Sequence, residues 1–61
     1  MTKYYIIYNV LKTGEDEGRI IQIKEDAVFS KHINAVNYAM KMKEKQPYSH
    51  GKILGFEVFK I

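Results

Sequence analysis

Three strand-like segments of this chain carry apolar side chains on both alternating faces, yet only one segment has the spacing of a covering helix. In Tyr4 to Leu11 one alternating set is Tyr4, Ile6, Tyr8 and Val10, and the other is Tyr5, Ile7, Asn9 and Leu11. The last segment repeats the pattern, with Leu54, Phe56 and Val58 on one side and Ile53, Phe59 and Ile61 on the other. Side chains of a strand flip face at every residue, so a sheet built from these segments is apolar on both sides. One helix covers one face. The other face needs a second copy of the chain or another macromolecule.

Length sharpens that demand. At 61 residues the chain makes one domain, residues 1–61, and such a domain buries only about 60% of the surface its unfolded chain exposes. Small domains usually add a disulfide, a metal or an oligomeric interface. Cysteine is absent, which excludes disulfides and thiolate metal sites. His32 and His50 are far apart in sequence and lack a carboxylate cluster, so neither a metal nor a cofactor is expected. Oligomerisation, or unusually good packing, is the remaining route. No apolar run nears the roughly 20 residues that span a bilayer, and the N-terminus lacks the layout of a signal peptide. The expectation is a cytoplasmic protein with no membrane partner.

Strand signals run from Thr2 to Lys12 and from Arg19 to Lys24, joined by the acidic, glycine-flanked stretch Thr13 to Gly18. The second is the more polar and suits a sheet edge. Ser30 has the chemistry of an N-cap, with Phe29 placed to pack on Ile33 as a staple. From Lys31 to Lys45 the spacing is helical; Ile33, Val36, Ala39 and Met40 form the apolar stripe, widened by Ala35 and Met42, with Ile33, Val36 and Met40 expected in the core. Pro47 ends the helix. A third strand covers Lys52 to Ile61. The fold class is α+β, in β-β-α-β order. Placing the two-sided first strand at the centre gives an antiparallel three-stranded sheet of order 2-1-3, with the helix on one face.

Catalytic signals are poor. Ser49 and His50 are neighbours in a loop with no third group to orient them. Glu57 has no second carboxylate beside it. Gly14 and Gly18 flank acidic residues that repel phosphate. Tautomerases of similar length use an N-terminal proline, whereas residue 2 here is Thr2. No enzyme is expected.

Two surfaces are candidates for binding. The first is the helix-free sheet face, read as Tyr5, Ile7, Leu11, Ile53, Phe59 and Ile61, with tyrosine suited to interfaces by its apolar ring and polar tip. It is expected to hold a homodimer together, with a protein as the eventual target; edge-to-edge pairing through an outer strand is the competing way to dimerise and leaves this face open. The second is a helix stripe of Lys31, Asn34, Tyr38, Lys41 and Lys45, at spacings of three and four. Residues 31–61 carry six basic and two acidic side chains, net +4, against −1 for residues 1–30. That asymmetry suits DNA or RNA.

The stretch Phe29-Ser30-Lys31 followed by Ala35 and Ala39 resembles the small three-stranded DNA-binding domains at the N-termini of phage integrases, over roughly residues 19–45. The resemblance implies a helix after a β-hairpin and supports the nucleic-acid alternative, but the third strand after the helix departs from that pattern. In size the chain is also similar to small accessory proteins of phages and mobile elements, many of which bind a host protein.

Overall fold

The computed structural model describes residues 2–14 and 18–61. Its elements are β1 (Tyr4–Lys12), β2 (Ile20–Lys24), α1 (His32–Lys45) and β3 (Gly51–Lys60). β1 is rich in Tyr, Ile and Val, side chains that pack well on a pleated surface. It takes the centre of an antiparallel sheet of order β2-β1-β3. One helix packs on one face of that sheet, over β1 and β3. The acidic residues 15–17 expected between the first two strands lie outside the described residues. Among the described residues, no helix is long and apolar enough to cross a membrane.

The helix enters one residue later than its sequence signals indicate. Lys31 occupies the N-cap position, with no side-chain capping bond, so Ser30 is not the cap. The expected staple from Phe29 to Ile33 is also replaced. Phe29 exchanges two backbone hydrogen bonds with Tyr4, and its ring lies 5.2 Å from that of Tyr38. Strand-like pairing at Phe29 fixes the chain before the helix starts, which sets the roll of α1.

That roll moves the buried stripe. Ala35 and Ala39 are fully buried, whereas Ile33 is 59% and Met40 57% exposed, and Val36 is half-buried. The expectation that Ile33, Val36 and Met40 form the core contact is therefore corrected by roughly a quarter to a third of a turn. The physical reason is volume. Beneath the helix lie Ile6, Tyr8 and Val10, all buried, and two alanines let the backbone settle close over these large side chains. Tyr38 and Met42 flank the alanines and seal the contact.

A second correction concerns β3. Asn9 pairs with Gly55, but Val10 pairs with Ile53, so Leu54 is an extra residue in the strand. This β-bulge reverses the alternation. Ile53 turns onto the helix side with Phe56 and Val58 and is buried; it does not belong to the helix-free face. The same close packing explains Gly51, where a Cβ would come within 2.6 Å of the Val10 Cγ1.

The helix ends at Gln46, whose backbone is left-handed (φ 50°, ψ 65°), with its N–H donating to the Met42 carbonyl at 2.9 Å. Its side-chain amide reaches β3. Oε1 accepts from the Ile53 N–H at 2.8 Å, and Nε2 donates to the Ile53 carbonyl at 3.1 Å and to the Lys43 carbonyl at 2.6 Å. A non-glycine residue in this conformation is strained, and the three hydrogen bonds offset the strain.

Candidate protein interface

The register of the sheet fixes the helix-free face. Tyr5, Ile7, Asn9 and Leu11 of β1 are flanked by Phe59, Glu57, Gly55 and Lys52 of β3, and by Lys24, Gln22 and Ile20 of β2. The Tyr5 and Phe59 rings stack at 5.3 Å with 23° between their planes, as neighbours on paired strands can. The Lys24 ammonium sits 4.8 Å from the centroid of the Tyr5 ring, a cation–π contact. Gln22 Nε2 donates to Asn9 Oδ1 at 3.2 Å and divides the face into two apolar zones. One is Tyr5, Ile7 and Phe59; the other is Leu11 and Ile20.

Of the residues expected here, Tyr5, Ile7, Leu11 and Phe59 are brought together. Ile53 is in the core. Ile61 follows the end of β3, is 68% exposed, and its N–H donates to the Lys3 carbonyl at 2.8 Å. The side chains of β1 on this face are half-buried by their neighbours, and Phe59 and Ile20 are exposed. Among the described residues no element packs over them: α1 lies on the other side.

The basic helix stripe is only partly assembled. Lys31, Asn34, Lys41 and Lys45 are exposed. Tyr38 leaves them: it is half-buried, against Phe29, with its hydroxyl drawn towards Glu25. The ring expected to stack on a base is thus committed to the fold.

Glu25, just past the end of β2, anchors a second cluster. Tyr8 OH donates to Glu25 Oε1 at 3.1 Å, and the Ala27 N–H donates to Oε2 at 3.2 Å. The proton affinities follow from this. Burial, then the Glu25 charge, pushes the Tyr8 hydroxyl well above its usual range. The Glu25 charge, then burial, raises Tyr38, and burial followed by the Glu25 and Asp26 charges raises Tyr48. The only sequence signal was the pairing of buried-type tyrosines with an acid just past a strand end. These tyrosines are held neutral, and the carboxylate is occupied as a hydrogen-bond acceptor.

Beside it, between β2 and the turn before β3, an open groove of about 340 Å³ is lined by Val10, Ile21, Ile23, Pro47 and Tyr48, with Ser49 and His50 at its rim. Ser49 and His50 are exposed turn residues. Among the described residues no group of acidic or histidine side chains is placed to hold a metal ion. Compared with known proteins, the chain matches no family model, no curated protein and no solved structure.

Proposed function

We propose that this chain is a small non-catalytic interaction module, homodimeric, whose helix-free sheet face binds a protein partner. One observation carries this reading: the Tyr5–Phe59 stack, with Ile7 beside it and Leu11 and Ile20 beyond, is an apolar surface that none of the described elements covers. Aromatic area of this kind is enriched where proteins meet. Lys24 and Lys52 outnumber Glu57 around it, so the fitting partner has an apolar centre and an acidic rim.

The test uses a photo-crosslinking residue at Ile7 or, as a control, at the exposed helix position Asn37, in extract of the native host. The reading expects a discrete protein adduct from Ile7 that is lost when Phe59 is changed to Glu, and none from Asn37. An adduct from Asn37 alone, or none from Ile7, refutes it. The nucleic-acid alternative rests on the four exposed residues Lys31, Asn34, Lys41 and Lys45, without the ring of Tyr38. It is judged by titration with mixed DNA and RNA over a salt series, where phosphate contacts give a steep negative slope.

A further inference from the structure

We infer that the homodimer forms through the open edge of β3 and the adjoining flank of α1, joining two sheets into one of six strands. The inference rests on the homodimeric part of the proposed function and assigns its surface, leaving the helix-free face for the partner.

The backbone directions of β3 follow from the hydrogen bonds. Tyr4 and Ile6 of β1 bond towards the β2 side, through Phe29 and Glu25, and the Lys3 carbonyl accepts from Ile61 on the β3 side. Odd-numbered residues of β1 therefore face β3. Their partners Phe59, Glu57 and Gly55 point inward, so Phe56, Val58 and Lys60 point their N–H and C=O groups outward. Beyond the bulge the outward residue is Ile53, and Gln46 satisfies both of its backbone groups. The edge is thus closed by a side chain at one end and open from Phe56 to Lys60.

An open edge pairs readily with another chain. Under two-fold symmetry β3 pairs antiparallel with itself. Setting Val58 on the axis places Phe56 opposite the partner's Lys60, and the outward groups make about six backbone hydrogen bonds. Glu57 then faces the partner's Phe59. A slip that centres Glu57 sets like charges against each other; one that centres Phe56 runs into the bulge and the Gln46 clamp.

The helix fits the same axis. α1 lies over β1 and β3, and strands are about 4.8 Å apart. Continuing the sheet across β3 brings the two helices to about 10 Å, a normal packing distance. The flank that meets there is the one left exposed, Ile33 and Met40 with the half-buried Val36 between them, and Met40 lies beside Phe56. Five of the seven exposed large apolar side chains among the described residues, Ile33, Met40, Leu54, Phe59 and Ile61, lie on this flank or on β3 and its end. A second copy covers the flank and continues the edge together.

The test uses the full chain, which has no cysteine of its own. Paired residues on the axis have Cα atoms about 5.5 Å apart, within disulfide range. Val58→Cys should oxidise rapidly and completely to a covalent dimer, and Leu11→Cys, on the helix-free face, should not. In sedimentation, Ile33→Glu with Met40→Glu should weaken the dimer by at least about 100-fold, while Leu11→Glu leaves it intact. A dimer linked through Leu11→Cys and not through Val58→Cys overturns the inference and leaves the homodimer standing. A monomer at about 1 mM overturns both, and leaves the partner-binding reading to its own test.

Discussion

The clamp made by Gln46 gives a stability prediction whose parts can be separated. Gln46→Ala removes three side-chain hydrogen bonds, two of them part-buried against Ile53 and one exposed to Lys43. Each is worth about 0.5–1.5 kcal/mol net. Water can reach an edge strand, so values near the low end apply, and the loss sums to about 2 kcal/mol. Alanine keeps the left-handed strain. Gln46→Gly loses the same bonds but relieves about 1 kcal/mol of strain, so it should cost about half as much. Gln46→Glu keeps the acceptor for the Ile53 N–H but aims an oxygen at the Ile53 and Lys43 carbonyls, and should be no better than alanine.

Against a total stability of about 3–9 kcal/mol for a chain of this length, these are large effects. A midpoint shift of about 4–8 °C per kcal/mol puts the alanine variant about 8–16 °C below the parent and glycine at about half that. Far-UV circular dichroism melts and urea titrations at matched concentration measure it. An alanine variant within about 0.5 kcal/mol of the parent, or a glycine variant no more stable than alanine, refutes the clamp.

Ala39→Asp should unfold the domain by burying an unpaired charge, whereas Val36→Asp, at a half-buried site, should cost less; equal melting curves would refute the assigned roll of α1. Glu25→Ala should cost about 1–3 kcal/mol by leaving the Tyr8 hydroxyl without its acceptor, and Tyr8→Phe should remove most of that penalty in the double variant. Tyr8, Tyr38 and Tyr48 are all raised in the folded chain, so above about pH 10 the unfolded chain binds fewer protons and stability falls as pH rises towards the folded values. Tyr8 alone contributes a slope of up to about 1.4 kcal/mol per pH unit; a melting midpoint unchanged between about pH 8 and pH 11 would contradict this. If nucleic acid binds at low salt, changing Lys41 and Lys45 to Ala should flatten the salt slope by about one per lost phosphate contact.

The architecture was legible in the sequence because its signals are strong and local. Alternation in β1, the switch to helical spacing after Ser30 and the stop at Pro47 fix the order of elements, and the two-sided pattern of β1 places that strand at the centre. What failed was rotation about an axis already found. Periodicity identifies a helix but weighs residues by hydrophobicity, and so favours Ile33 and Met40 over Ala35 and Ala39. The sheet selects by fit, and the large Tyr8 and Ile6 beneath leave room only for alanine. Alternation failed at Ile53 for a different reason. One extra residue at Leu54 inverts every face before it, and no side chain announces the bulge. The Glu25 cluster was missed because its members come from β1, α1 and the turns, and only the tertiary fold brings them together.

The rotation of α1 bears on the dimer. An apolar stripe that reaches from Ala35 and Ala39 round to Ile33 and Met40 is wider than one sheet contact needs. One side serves the chain's own sheet, and the other is spare unless a second copy meets it. If the β3 edge joins two copies, folding and association are linked, and the melting temperature depends on concentration. For a fully coupled dimer each tenfold increase should raise it by roughly 5–7 °C. Ile33→Glu with Met40→Glu should abolish that dependence and leave the midpoint near the parent's value at high dilution, because both side chains are exposed in the single chain. Melts over a hundredfold range of concentration decide it. A midpoint independent of concentration in the parent, or a dependence that survives in the double variant, means that the spare side of α1 does not hold the dimer.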